Sequence, residues 1–129
     1  MERVALYALA VARQLSLSRQ QIDTLSIAAI THDCGKVGIP RPILNKPGRL
    51  TAEELRTMRS HPARGAGILR QHDMPGEVVE VVRHHHERYD GGGYPDDLSG
   101  TRIPLLSRIL AEAPGYWKNQ PIASAFGFK

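Results

Sequence analysis

The 129-residue chain has a single cysteine, Cys34. One thiol closes no internal disulfide, so no disulfide framework holds this fold, and the usage fits a reducing compartment. Long apolar runs are also missing, and none reaches the length that spans a bilayer. The first residues lack the basic start, apolar stretch and small-residue cleavage site of a secretory signal, so the expected location is the cytoplasm. No internal repeat, low-complexity tract or linker divides the chain. Charge of one sign is not concentrated either: the net charge is +4 with the bases scattered. That balance suits a phosphate-bearing ligand but gives no basic stripe, and DNA binding is not expected.

What is present is ordinary for a soluble protein, with 41% hydrophobic and 23% charged residues. The length suffices for one globular domain with its own core. From Glu2 to Leu15, Val4, Tyr7, Ala8, Val11 and Leu15 recur at helical spacing. Ser18 followed three residues later by Gln21 is a capping-box pattern, and Ile22, Leu25, Ala28 and Ala29 carry a second helix toward His32. Gly38 to Leu50 reads as an ordered loop with no regular period. Thr51 and Glu54 form another capping box, opening a helix through Leu55 and Met58, with His61 near its end or at a bend before Pro62. Ala66, Ile68 and Leu69 imply a short following helix that breaks at Asp73 to Gly76. Val78, Val79, Val81 and Val82 have strand propensity, but the helical context on both sides predicts a helix ending in His84, His85 and His86. Asp90 to Gly100 is a glycine- and proline-rich loop. Pro104 sits at the first turn of a last helix carrying Leu105, Leu106, Ile109 and Leu110, stopped by Pro114 and Gly115. The expected architecture is all-α, a bundle of about five to seven helices.

The chemistry concentrates in the six histidines, five of which (His32, His61, His84, His85 and His86) fall in three short clusters. Imidazole and carboxylate together bind zinc, iron or manganese, and a set without thiolate favours iron or manganese over a structural zinc. Adjacent residues on a helix point about 100° apart, so His32 could hold one ion while Asp33 reaches between two. Two such ions can activate a nucleophile at neutral pH and hold both oxygens of an in-line displacement at phosphorus. Lys36 follows on the same face, where an ammonium can neutralise charge building on a phosphoryl oxygen. Each feature also has an ordinary explanation. His61 or His72 alone reads as a surface or core residue, Gly35 with Lys36 as a helix C-cap, and three consecutive histidines as incidental metal affinity. For His72 the ordinary explanation is taken; for the others, all would have to hold together. Cys34 reads as a small buried residue rather than a nucleophile. Asp90-Gly91-Gly92-Gly93-Tyr94-Pro95 has glycines that permit close backbone approach and a tyrosine ring that could cover a nucleotide.

Together, His32-Asp33-Cys34-Gly35-Lys36-Val37-Gly38-Ile39-Pro40, Ile43 to Leu50, His61-Pro62 and His85-His86-Glu87-Arg88-Tyr89-Asp90-Gly91-Gly92-Gly93-Tyr94-Pro95 resemble the HD-GYP branch of the HD superfamily. The likeness runs from about Arg3 to Ala111. It implies a helical bundle around a two-metal iron or manganese centre that hydrolyses cyclic di-GMP to the linear dinucleotide or GMP in bacterial signalling. It implies His32, Asp33, His61, His85 and His86 as metal ligands, Asp33 as the bridge, and Lys36 as the group assisting at the phosphate. Gly93, Tyr94 and Pro95 would shape the substrate pocket and contact signalling proteins, and His84 would lie outside the ligand set or at the surface.

The same resemblance implies a member truncated or divergent at both ends. The family usually has a histidine just upstream of Met1-Glu2-Arg3-Val4, and an aspartate ligand where this chain has Pro114. The expected division is an HD-GYP-like domain over 1–111 and a divergent tail over 112–129, of the kind a frameshift or truncation would leave. Loss of ligands could leave one ion in place of two, and uncovered apolar surface would invite a homodimer. Two alternatives follow: a catalytically impaired remnant that binds nucleotide or protein, and a domain whose histidines hold one structural zinc.

Overall fold

The computed structural model describes residues 2–112, the side chains of residues 2–4 and 112 excepted. The expected divergent tail and Pro114 lie outside the described residues. Seven α-helices are present among them: α1 Glu2–Gln14, α2 Arg19–Thr31, α3 Arg41–Leu44, α4 Ala52–Met58, α5 His61–Gln71, α6 Gly76–Arg83 and α7 Leu105–Glu112. Short 3₁₀ turns at Cys34–Gly38 and Gly100–Arg102 complete the path, and the described residues contain no strand. The all-α expectation holds.

Local sequence sets the helix starts. Ser18 Oγ accepts from Gln21 N at 3.1 Å while Gln21 Oε1 accepts from Ser18 N at 2.9 Å, so two N–H groups without intrahelical partners are satisfied reciprocally. Thr51 and Glu54 repeat the arrangement at α4, at 3.1 and 2.8 Å, and Lys46 Nζ adds a 2.6 Å ion pair to the same Glu54 carboxylate. Pro62 lies in the first turn of α5, where its missing N–H costs nothing. His61 therefore opens a helix rather than closing one. Pro104 stands just before α7, its carbonyl accepting from Arg108 N at 3.1 Å.

Two other boundaries differ from the sequence pattern. The stretch 38–50 contains α3, a single turn begun by the extended Pro40 and helped by Pro42 near its start; a helix this short has no apolar period to read. The valine helix α6 stops at Arg83, because His84 leaves helical geometry at φ −103 and ψ 12, and the three histidines form a turn beyond it.

The core lies where α1, α2, α5, α6 and α7 meet, and it is built largely from small and β-branched side chains. Ala8, Val11, Ala12, Leu25, Ala28, Ala29, Ala66, Leu69, the four valines of α6, Ile109 and Leu110 are buried in one cluster. All four valines of α6 are buried because α2, α5 and α7 each pack against that helix. Ser107 Oγ donates to Val81 O at 2.9 Å, tying α7 to α6 with its only polar side-chain atom satisfied.

The approach of the Cys34–Gly38 turn to α5 is closer than any side chain would permit. A β-carbon at Gly35 would fall on the His61 carbonyl oxygen and lie 2.6 Å from Gly65 N. Nothing lies within 4 Å of a β-carbon placed on Gly67, two residues further along α5. Gly35→Ala is therefore expected to destabilise by about 3 kcal/mol or more through forced separation of the turn from α5. Gly67→Ala should instead stabilise by roughly 0.5–1 kcal/mol through helix propensity. Urea unfolding of the two variants checks the contrast.

Candidate metal centre

A helix ends with carbonyls that have no intrahelical donor, and such groups must find partners when buried. Three of them here are met by histidine. His32 Nδ1 lies 2.7 Å from Ala29 O at the end of α2, His61 Nδ1 2.9 Å from Met58 O at the end of α4, and His85 Nδ1 2.5 Å from Val82 O at the end of α6. A carbonyl only accepts, so each Nδ1 carries the proton and donates it. With Nδ1 occupied in this way, Nε2 is the nitrogen that each ring presents to one shared space.

Within that space the ring centroids of His32 and His85 are 5.2 Å apart, those of His61 and His86 4.9 Å, and those of His85 and His86 4.3 Å. One ring nitrogen from each of His61, His85 and His86 lies within 4.8 Å of the others. Asp33 stands between α2 and α5, its Oδ2 3.3 Å from His32 Nε2 and its Oδ1 3.6 Å from His61 Nε2. Lys36 Nζ is 3.4 Å from the same Oδ2. Lys36 reaches that position through the 3₁₀ turn and not along a continued α2, which ends at Thr31.

The electrostatics are those of a cation site. Nε2 of His61 and of His85 is buried without a hydrogen-bond partner. Burial pushes His85 down to about 3 and His86 down to about 4, and it lowers His61 as well, so these rings stay unprotonated at neutral pH. The His32 ring beside it, with Lys36 and His61 adding to the effect, holds the Asp33 carboxyl far below the usual carboxylate range despite burial. Facing lone pairs on neutral nitrogens and an ionised carboxylate repel, and a divalent ion placed among them turns that repulsion into ligation. The donor set therefore fits a metal. Cys34 is half-buried beside the centre, with Sγ 3.7 Å from Gly65 O, and burial raises its thiol pKa, so it offers no ready thiolate.

The structure thus gathers His32, Asp33, Lys36, His61, His85 and His86 in one place, with Gly93, Tyr94 and Pro95 along one edge. The Tyr94 ring lies nearly parallel to that of His86, at 5.1 Å and 11°. The Arg59 guanidinium is 5.5 Å from the centroid of the Tyr94 ring. His72 caps the far end of α5, outside the cluster. His84 is buried and turned away: its Nδ1 is 3.0 Å from Glu87 Oε2 and its Nε2 3.2 Å from Glu80 Oε2. Neither Glu87 nor Arg59 stands out in the sequence. Glu87 stands inside the matched histidine motif, but only its burial marks it out. Arg59, two residues before His61, is one exposed base among many.

A divalent ion that binds this cluster only when it is folded stabilises the fold. Manganese at about one hundred times its Kd should raise the unfolding free energy by about 2.7 kcal/mol. His85→Ala should abolish that increment, as read by thermal melts with and without the ion.

Comparison with known proteins matches residues 1–120 to the family model for the HD domain. The chain is 44% identical over 115 residues to the cyclic di-GMP phosphodiesterase response regulator RpfG of Xanthomonas campestris pv. campestris, covering 88% of this chain and 30% of that protein. It is 40% identical over 114 residues to 3'3'-cGAMP-specific phosphodiesterase 2 of Vibrio cholerae, covering 87% of this chain and 22% of that one. It spans less than a third of the length of these curated relatives. Among solved structures, an HDG"Y"P protein from Bdellovibrio bacteriovorus superposes with a TM-score of 0.75 at 23% identity, covering 95% of this chain and 42% of the other, which is a likeness of fold.

Proposed function

The chain belongs to the HD domain family, and on that premise we propose that it is a domain of the HD-GYP type that hydrolyses the phosphodiester bonds of cyclic di-GMP with a bound metal centre. The observation that carries this reading is the pair of buried, partnerless Nε2 atoms of His61 and His85 beside the ionised Asp33. Relatives named as cyclic dinucleotide phosphodiesterases support it over a binding-only remnant.

His32, Asp33, His61, His85 and His86 would hold iron or manganese, which their all-nitrogen-and-oxygen donor set suits better than a thiolate-type zinc site. Bound there as a pair, the ions would supply a nucleophile at neutral pH and Lewis-acid stabilisation of the phosphoryl oxygens. Asp33, which has one oxygen toward His32 and the other toward His61, would be the carboxylate shared between the ions. The chain's own groups do the rest. Lys36 is 41% exposed at the rim, so its ammonium can turn from Asp33 to a phosphoryl oxygen as negative charge grows there. Tyr94 walls one side of the centre by its stack on His86, and its exposed neighbour Arg59 adds positive charge suited to a substrate with two phosphates. The loop carrying Gly93, Tyr94 and Pro95, with Gly92 and Asp97 exposed in it, would be where a signalling protein meets the domain. Exposed apolar side chains such as Leu6, Ile30 and Val37 would favour a homodimer. No helix among the described residues is long and apolar enough to cross a membrane.

The test is metal content together with hydrolysis, on protein purified anaerobically and reloaded with iron or manganese, with cyclic di-GMP and 3'3'-cGAMP offered in parallel. Bound metal and a linear product from cyclic di-GMP are expected; a loaded protein that turns over neither nucleotide would overturn the reading. Asp33→Ala should lose bound metal, and full retention would remove the bridging role. Lys36→Ala should keep the metal and lower kcat by roughly 10- to 100-fold, the loss expected when one preorganised charge is withdrawn from the developing phosphoryl charge.

A further inference from the structure

Glu87 carries a carboxylate that the metal centre does not use. Its side chain is fully buried, with none of its surface exposed. Burying a carboxylate costs several kcal/mol unless charge-assisted hydrogen bonds replace its water, and an apolar side chain of similar size would avoid the cost. Here the replacement is nearly complete. Oε2 accepts from Asp96 N at 2.9 Å and lies 3.0 Å from His84 Nδ1, while Oε1 accepts from Leu98 N at 3.1 Å. The two backbone donors belong to the loop that follows Tyr94 and Pro95. The Asp96 side chain is gripped separately by Arg83, at 2.9 and 3.1 Å. His84, Glu87 and Asp96 also group as a conceivable ion site, but their facing atoms are already taken up by these bonds.

The loop is thus fastened to the histidine turn at two points. Tyr94 N donates to His86 O at 3.2 Å, and at Gly93 a β-carbon would collide with the backbone of His86 and Arg88, so the loop lies pressed on the turn. Glu87 makes the second attachment, just past Pro95. We propose that Glu87 is a positioning residue: its buried carboxylate fastens the loop carrying Gly93, Tyr94 and Pro95 to the histidine turn, and so sets where Tyr94 stands against His86 for the cyclic dinucleotide. This rests on the phosphodiesterase reading above. Three of the four imidazoles of the centre, those of His32, His61 and His85, are anchored elsewhere, on Ala29, Met58 and Val82. Loosening the loop should therefore affect nucleotide binding without emptying the metal site.

Glu87→Gln puts an amide NH₂ where a second acceptor is needed, so one loop N–H loses its partner. Hydrogen exchange comes first, on the unaltered protein. The amides of Asp96 and Leu98 should be protected like those of α6, and unprotected exchange there overturns the proposal even if the variant fails to fold. In Glu87→Gln those two amides should exchange about ten-fold faster or more, with α5 amides and manganese content unchanged. KM for cyclic di-GMP should rise about ten-fold while kcat, and turnover of the small diester bis(p-nitrophenyl) phosphate, stay within about two-fold. Asp96→Ala, which keeps the backbone N–H on Glu87, should leave KM within about two-fold. Metal loss or an equal fall for both substrates would show that Glu87 serves the metal centre instead. Freed amides with an unchanged KM would overturn its role in placing Tyr94. If the unaltered protein hydrolyses neither substrate, the phosphodiesterase reading fails, and the exchange measurements by themselves uphold or overturn the attachment.

Discussion

Three helices in this chain end on carbonyls with no helical donor, and three histidines supply the missing hydrogen bonds. That one constraint settles several things together. It fixes the proton on Nδ1, aims Nε2 away from the helix that holds the ring, and locks each ring without help from another side chain. Because α2, α4 and α6 end near one another, the three Nε2 atoms share a space. The requirement that a helix terminus be satisfied and the requirement that a metal site present deprotonated nitrogen are met by the same bond.

Convergence of the three ends depends on packing that leaves little room. The Cys34–Gly38 turn rests directly on α5 through Gly35 and Gly65, which brings Asp33 within 3.6 Å of His61. The small side chains on the buried faces of α1 and α2 and the four buried valines of α6 let the helices lie close behind the site. Such a core resists rearrangement because a close-packed interior transmits a displacement rather than absorbing it. The site accordingly consists of acceptors held at short range, and lone-pair repulsion among them is what a bound cation would relieve.

Behind the histidine turn lies a second polar layer of different character. Arg83, His84, Glu87 and Asp96 bond to one another and to loop backbone, leaving no free valence pointed at the centre. The first layer is poor in partners and the second is saturated. Low dielectric makes both conditions consequential: an unpaired buried acceptor seeks a cation, and a fully paired buried carboxylate becomes a rigid joint.

Much of this was legible in the chain. Both capping boxes act over three residues, so Ser18 with Gln21 and Thr51 with Glu54 announced α2 and α4 directly. The all-α architecture followed from helical spacing, and the motif residues from His32 to Pro95 were enough to group the candidate site. The single turn α3 was not readable, because four residues with a proline carry no period. The end of α6 at Arg83 has no signal in the sequence, because His84 departs from helical geometry to form a turn closed by Glu87 N on His84 O, where the valine pattern alone would continue the helix. The sequence by itself determined which groups could bind a cation and which segments coil, since those depend on side-chain chemistry and on neighbours within one or two turns. Only the tertiary structure decided which ring nitrogen faces the centre, that Gly35 must be glycine, and that Glu87 is a buried joint rather than a surface carboxylate. Those outcomes depend on burial and on contacts between residues far apart in the chain.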